Sequence, residues 1–151
     1  MRLMPIARPL IAAALGAALC ASAWAQELVS VRNANVNLRA APNLQAEVLW
    51  KLTQGYPLQV LETRDSWLRV QDFEGDQGWI ASSVTARTPH HIVKSTSINL
   101  RAGPSTQHAV VGKAVYGDVL RTARRQGDWV QVQQPNGQGT AWVASSLLWG
   151  W

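Results

Sequence analysis

Two kinds of side chain in this sequence are well suited to hold a ligand, and both kinds occur twice. An arginine offers a planar fork of N–H donors to carboxylates and carbonyls. A tryptophan offers a flat apolar face with one polar edge, which suits sugars, prolines and other extended ligands. The eight binding candidates are Asn37, Arg39, Trp67, Trp79, Asn99, Arg101, Trp129 and Trp142.

The sequence contains no comparable set of residues that could support catalysis. His90 and His91 are adjacent, so on a strand they point to opposite faces, and His108 is distant in sequence. We find no paired acids, no serine with a placed histidine and no phosphate loop in both halves. The one cysteine, Cys20, lies in the apolar leader described below. We therefore expect no enzymatic activity, no cofactor and no metal site.

Each candidate type also has a structural interpretation. The two arginines are followed by loops containing proline, and their guanidiniums could hold those loops by donating to backbone carbonyls. For the tryptophans, strand parity places Leu68, Val70, Ile80 and their counterparts toward the core, so all four indoles point away from it. Each copy could therefore show two aromatic faces on one surface. The alternatives are that one ring of each pair is exposed, that the small barrel buries large residues on both of its faces, or that the two copies cover each other.

The candidates recur because the chain is duplicated. The segment VNLRAAPN begins at Val36 and INLRAGPS begins at Ile98, an offset of 62 residues. Trp67 and Trp129 keep this offset, whereas Trp79 and Trp142 are 63 apart because the second copy has one extra residue. A nearly fixed offset over the whole length indicates two copies of one unit of about 60 residues, a size at which a domain is only marginally stable.

The elements that must position these residues are strands. Val36 and Leu38 alternate with Asn37 and Arg39, and period-two alternation predicts half-buried strands. Proline, glycine and asparagine signals separate the runs. Five or so short strands in about 60 residues, with no long helix, predict an all-β fold of two tandem small barrels.

The first 25 residues are predicted to be a cleavable signal peptide. Arg2 and Arg8 precede an apolar run from 10 to 20, and Ala23 and Ala25 form a small-residue cleavage site. The run is short for a membrane anchor, and Leu19 before Cys20 argues against a lipoprotein. We expect cleavage after Ala25, a first domain over 26–87 and a second over 88–151. The linker 85–91 is short and contains Pro89, so we expect the two domains to be close.

Charge is unequal in the two halves. Residues 28–86 carry 5 basic and 6 acidic side chains, whereas residues 90–151 carry 6 basic and 2 acidic ones, including Arg121, Arg124 and Arg125. This basic cluster is either a solvated face or a contact for an anionic polymer. No nucleic-acid motif is present, and nucleic acid is not an expected partner.

The motifs shared by both copies resemble the bacterial SH3 family. They run from NLRAAPN at Asn37 and NLRAGPS at Asn99, through WLRV at Trp67 and WVQV at Trp129, to GWIASSV at Gly78 and AWVASSL at Ala141. The first copy departs from the family pattern at Ala41, where glycine is usual, and at Asn43, where serine or threonine is usual. The resemblance implies two tandem SH3-like barrels.

It also implies an exported, periplasmic or secreted binding module that contacts cell-wall peptidoglycan or its peptide stems. The alternative is a periplasmic adaptor that docks an extended or proline-rich segment of a partner protein. A third possibility is a folded passenger whose neighbour carries the activity. We expect Trp149 and Trp151, which have no counterpart in the first copy, to cap the second barrel or to fill the seam between the copies.

Overall fold

The computed structural model describes residues 25–151. Residues 1–24, which include nearly all of the predicted signal peptide, lie outside the described part, so the structure does not bear on that prediction. Within residues 25–151, no helix has the length and apolarity that crossing a bilayer would require.

The described chain is all-β, with two 3-10 turns. The first sheet contains β1 Leu28–Val31, β2 Val36–Arg39, β3 Val48–Leu52, β4 Pro57–Arg64, β5 Trp67–Gln71, β6 Gln77–Ala81 and β7 Thr85–Ala86, with a 3-10 turn at Ser82–Val84. The second contains β8 His90–Val93, β9 Ser97–Arg101, β10 Val110–Val115, β11 Val119–Gln126, β12 Trp129–Gln133, β13 Thr140–Ala144 and β14 Leu148–Gly150, with a 3-10 turn at Ser145–Leu147.

The two sheets have equivalent strand orders, which accords with the duplication seen in the sequence. They read β3-β2-β6-β5-β4-β1-β7 and β10-β9-β13-β12-β11-β8-β14. Neighbouring strands are antiparallel in the pairings of both sheets. We call residues 28–86 the first repeat and residues 90–150 the second repeat. Each has seven strands rather than the predicted five or so, and a two-residue strand ends the first sheet while a three-residue strand ends the second.

Each sheet rolls around its own apolar core. The first core joins side chains from six strands, among them Val31, Leu38, Leu58, Val70 and Ile80. The second core is built in the same way. These residues alternate with outward-facing ones along each strand, so the period-two pattern is what fixes which face is buried. The alternation predicted from sequence is therefore observed.

A seam of non-equivalent residues joins the repeats. Phe73 lies between Tyr56 and Tyr116, with ring centroids 6.4 Å and 5.4 Å apart. The Tyr116 hydroxyl donates to Glu74 of the first repeat. This hydrogen bond raises the pKa of Tyr116, and burial together with the Asp72 carboxylate raises that of Tyr56. The two repeats are in contact, as the short linker predicted.

Further contacts near this seam involve the linker and the strands next to it. The Ser30 hydroxyl donates to the carbonyl of Thr88 in the linker at 2.8 Å. Strand β14, which contains Trp149, pairs with β8. Trp151, which directly follows the second repeat, lines a cavity together with residues 25–28 and Arg87, so it lies against the segments that flank the first repeat.

Candidate functional site

The eight binding candidates lie on the outer faces of the two sheets, in matching rows. In the first repeat, the register runs from Arg39 to Trp79 to Arg69, and from Ala81 to Trp67 to Arg64. In the second repeat, Arg101, Trp142 and Gln131 are in register, and Trp129 is paired with Ala144. Cross-strand partners share a face, so Asn, Arg and both indoles of each repeat project from the same side.

One indole of each repeat is covered, which is one of the alternatives that the sequence left open. Trp79 is 8% exposed and Trp142 is 5% exposed. The parity argument placed them on the correct side, because neither belongs to the apolar core of its repeat. The parity argument did not take account of the arginine side chains that cover these two rings. The guanidinium carbon of Arg64 lies 4.8 Å from the Trp79 ring centroid, and that of Arg124 lies 5.1 Å from the Trp142 centroid.

This covering has a simple physical origin. A long arginine stem can lie across an apolar ring while its charged end stays in water, and the guanidinium is attracted to the ring face. In the first repeat, ion pairs hold the covering arginine in place, because Glu62 accepts from Arg64 at 2.7 Å and from Arg69 at 3.0 Å. Those two bonds lower the pKa of Glu62. Trp79 and Trp142 therefore stabilise the outer face, and a ligand could reach them only by displacing an arginine.

Trp67 and Trp129 remain accessible. Both are half-buried at the start of equivalent strands. Each indole thus keeps part of its surface in contact with solvent while the rest is held by the sheet. They are the two tryptophans of the predicted set that can meet a ligand without a rearrangement.

The two arginines hold the loops that follow them. Arg39 Nη1 donates to the carbonyl of Ala46 at 2.9 Å. Arg101 Nη1 donates to the carbonyls of Thr106 and His108 at 3.0 and 2.9 Å. The structural interpretation of these residues is confirmed. Both side chains are still half-buried rather than sealed, so their remaining N–H donors face the same side as Trp67 and Trp129.

The two asparagines differ. Asn99 is exposed, whereas Asn37 is half-buried and its Oδ1 is buried with no hydrogen-bond donor among residues 25–151. A buried acceptor without a donor is uncommon, because it loses the hydrogen bond it would make in water. Asn37 Oδ1 can accept from a ligand N–H only after its side chain turns toward the surface.

A groove of about 300 Å³ in the first repeat brings three of the candidates together. Asn37, Arg39 and Trp67 line it together with Ala81 and the loop before β2. Asn35 gives that loop its sharp bend, because it adopts the left-handed conformation with φ of 57° that asparagine tolerates better than most residues. The volume lies at the lower end of the range for small-molecule sites.

Sequence reasoning missed Leu44, which supplies an apolar wall of this groove. Its side chain is 69% exposed. The available signal was an apolar residue directly after the Pro42–Asn43 turn, a position where burial is not expected. Thr106 and Ser97 occupy the positions of Leu44 and Asn35 in the second repeat. The same face of the second repeat is consequently more polar.

A cluster of acids lies in the loop between β5 and β6. Carboxylate oxygens of Asp72, Glu74 and Asp76 lie within 4.8 Å of one another. The buried Asp72 accepts from the backbone N–H groups of Glu74 and Asp76, both at 2.9 Å. Its role in the described structure is to close this loop, while Glu74 accepts from Tyr116 across the seam.

Family models match both repeats. A bacterial SH3 domain model covers residues 32–86, and a second bacterial SH3 domain model covers residues 96–148. Together they account for more than half of the chain. The chain belongs to the bacterial SH3 domain family. The resemblance noted from the paired sequence motifs is thereby confirmed, in tandem and over both repeats.

The chain is similar to the putative N-acetylmuramoyl-L-alanine amidase YrvJ of Bacillus subtilis. The two are 30% identical over an alignment of 130 residues, and the match covers 76% of this chain and 25% of that protein. The chain thus spans about a quarter of that relative's length.

Two solved structures show a looser similarity. The first is an NlpC/P60 family protein from Bacillus cereus, at 14% identity and a TM-score of 0.38, covering 83% of this chain and 56% of that one. The second is the endolysin LysPBC5 CBD, at 16% identity and a TM-score of 0.34, covering 83% of this chain and 93% of that one.

Proposed function

We propose that this protein is an exported, non-catalytic module that binds peptidoglycan, and that the groove of the first repeat receives a peptide stem. The observation that carries the proposal is the meeting of Asn37, Arg39 and the accessible ring of Trp67 in one groove. The relative named as an N-acetylmuramoyl-L-alanine amidase supports a cell-wall ligand. The predicted signal peptide supports a location outside the cytoplasm, periplasmic or secreted.

The chemistry of the groove suits a peptide better than a bare glycan. The half-buried amide of Asn37 lines the groove, and once its side chain turns outward its Oδ1 can accept from the N–H that every non-proline peptide unit has. The free donors of Arg39 can meet a peptide carbonyl or a carboxylate. Leu44 and Trp67 offer apolar contact to small side chains. The second repeat, which is more polar on this face, would add a weaker contact on the same polymer and raise the overall affinity.

Co-sedimentation with isolated, protein-free cell-wall sacculi tests the proposal. We expect the wild-type protein in the pellet and Trp67→Ala largely in the supernatant, with a smaller loss for Trp129→Ala. Trp50→Ala is the matched control, since Trp50 is 56% exposed in the same repeat and does not line the groove. Far-UV spectra must stay native. Wild-type protein that remains in the supernatant, or equal pelleting of Trp67→Ala and Trp50→Ala, contradicts the proposal.

A second candidate function is the periplasmic adaptor, which is favoured by the edge strands. Strand β3 lies at the edge of its sheet and exposes Val48, Leu49 and Trp50, and β10 exposes Val110 and Val111 at the equivalent edge. An exposed edge can add a strand from an extended partner segment. Crosslinking in an envelope extract separates the two functions. An adaptor recovers one dominant protein without wall fragments, and that recovery is lost in Trp50→Ala rather than in Trp67→Ala.

A further inference from the structure

A second, larger cleft lies between the two repeats and shares none of the groove's residues. Its volume is about 530 Å³, which is within the range of ligand sites. One wall comes from the end of β1, Arg32 and Gln54 of the first repeat. The other comes from β11, Gln133 and the turn after β12 of the second repeat. The cleft forms only where the two walls face each other, so neither repeat contains it alone.

The charges around this cleft have one sign. The twelve lining residues include Arg32 and Arg121 and no aspartate or glutamate. Neither arginine forms an ion pair or a side-chain hydrogen bond with any residue in the described range 25–151. Both arginines are exposed to solvent. Two like charges that face one concave cleft without carboxylate partners add their fields there, so the cleft attracts anions more strongly than a single arginine on an open surface.

Most of the other polar groups of the lining already have partners. The Ser30 hydroxyl donates to Thr88, Gln54 Nε2 donates to the carbonyl of Arg32, and Gln134 Nε2 donates to the carbonyl of Gln138. These bonds fix the shape of the walls. The side-chain donors of the lining that make no hydrogen bond within residues 25–151 are the two guanidiniums, the Thr88 hydroxyl and the amide of Gln133.

The structure also separates the roles of the three arginines in the basic cluster of the second repeat. Arg124 covers Trp142, and Arg125 Nε donates to the carbonyl of Gly127 on the open surface. Only Arg121 of these three lines the cleft. Gly55 lets the second repeat approach closely, because a Cβ there would lie 2.7 Å from Cδ2 of His90.

We infer that the cleft between the repeats is a second binding site, which takes an oxyanion, a carboxylate or a phosphate, on Arg32, Arg121 and Gln133. The site is independent of the groove of the first repeat and does not require that the protein bind peptidoglycan. The two guanidiniums belong to different repeats and have no equivalents in each other's copy, where Lys94 and Gln59 stand. The site therefore exists once per chain and holds the two repeats together when it is occupied.

Calorimetric titration of the purified protein at low ionic strength tests this inference. The probes are hexaglutamate, which carries carboxylates, tripolyphosphate, which carries phosphates, and hexaglutamine as the uncharged control. We expect one of the two anions to bind and hexaglutamine not to bind, and the anion that binds tighter identifies the source of the oxyanion. Added salt should weaken the binding. Failure of both anions to bind, or equal binding of hexaglutamine, overturns the inference.

Matched charge-removing variants locate the site. Arg32→Gln and Arg121→Gln should each lower the affinity about tenfold or more, because a hydrogen bond to a charged group is lost. Lys51→Gln and Arg125→Gln remove the same charge from the same two repeats outside the cleft, and should leave the affinity nearly unchanged. Equal losses in all four variants would reduce the effect to general electrostatic attraction and overturn the site.

A readout on the wild-type protein avoids any effect of the substitutions on folding. The side-chain N–H resonances of Arg32, Arg121 and Gln133 should shift together as hexaglutamate or tripolyphosphate is added, and those of Arg64 should not. Sedimentation with sacculi need not change in Arg121→Gln, because the peptide groove lies elsewhere. That comparison distinguishes failure of this inference from failure of the proposed function.

Discussion

The two repeats have one strand order but pack the same position in opposite ways. In the first repeat, Leu38 leans toward β6, where a Cβ at Gly78 would lie 2.6 Å from its Cγ. In the second repeat, alanine stands at the position of Gly78, and the glycine beside the leucine is Gly112 on β10, where a Cβ would lie 3.4 Å from Leu100 Cδ1, an ordinary contact distance. The glycine therefore lies on opposite sides of the central leucine in the two repeats. Only in the first repeat is the leucine too close for a Cβ.

The loop after β2 and β9 shows a second exchange. A Cβ at Gly103 would lie 2.4 Å from the His108 ring, so the ring fills the space above the glycine. In the first repeat the two equivalent residues are Ala41 and Ala46. The departure from the family pattern at Ala41 therefore has a packing reason, because the residue facing it is also small.

The arginines that cover Trp79 and Trp142 come from different positions in the two repeats, which is a third exchange. Arg64 covers Trp79, and the equivalent of Arg64 is Gln126. Arg124 covers Trp142, and the equivalent of Arg124 is Glu62. Both repeats bury the ring beneath an arginine, although the arginine comes from different positions of the same strand. The three exchanges teach that the two sheets share their strand order and the coverage of one outer indole, while the residues that provide the packing differ.

The largest expected effect tests whether the two cores are equivalent. Leu38→Ala and Leu100→Ala each remove a fully buried side chain, and each should lower the free energy of unfolding of its repeat by about 2–5 kcal/mol. Urea unfolding measures the loss, and hydrogen exchange shows which repeat carries it. Leu44→Ala is the control and should change stability by less than about 0.5 kcal/mol. A negligible loss for Leu100→Ala would place it outside the core.

The next largest expected effect is a difference between the two repeats in stability at acidic pH. Strand β8 buries His91, which is hydrogen-bonded to Thr122 at 2.6 Å, whereas the first repeat has the buried Val29 at this position. Burial, opposed by a hydrogen bond to the Trp151 backbone and assisted by the charges of Arg125 and His90, lowers the pKa of His91 from 6.5 to about 4.

Since the unfolded chain binds this proton near pH 6.5 and the folded chain only near pH 4, the stability of the second repeat falls as pH falls through that window. The loss should reach about 3 kcal/mol. Hydrogen exchange at pH 7 and pH 4.5 should show the second repeat weakening more than the first. His91→Val should remove that difference, and an unchanged acid response in His91→Val would contradict the assignment.

The glycine exchange predicts an energetic coupling. Gly78→Ala should cost about 1–3 kcal/mol, because the new Cβ presses on Leu38. Adding Trp50→Gly, which puts glycine at the position of Gly112, gives Leu38 room on the side of β3. We expect the double variant to lose less stability than the sum of the single variants in urea unfolding. Strict additivity would show that the leucine does not move.

The smallest expected effect is a change in stability from substitutions at the seam between the repeats. Gly55 and Gly117 are equivalent turn residues with φ of 82° and 85°, so alanine should strain both by about 1–2 kcal/mol. Only at Gly55 does the added methyl meet the other repeat, at His90 and Val119, while nothing lies within 4 Å of it at Gly117. Gly55→Ala should therefore also speed hydrogen exchange in β8, and Gly117→Ala should not. Equal behaviour of the two variants would mean that the seam is not tightly packed.

The outer face shows why part of the site could be predicted and part could not. The alternation around Leu68 and Ile80 correctly assigned the side of the sheet for Trp67 and Trp79, since side-chain direction follows from parity along a strand. The exposure of Trp79 depended on Arg64, which reaches it from another strand. Arg39 was open to two interpretations for the same reason, since its acceptor at Ala46 is placed by the loop.

The sequence by itself determined the duplication, the all-β class, the face of each strand and the family, because these depend on local periodicity and on motifs repeated at a fixed offset. Only the tertiary structure decided which indoles stay accessible, how Leu44 joins Asn37 in a groove, and that Arg32 and Arg121 line one cleft. These features depend on distances between strands and between repeats. Such distances are set by the packing of whole sheets, which no local pattern in the chain encodes.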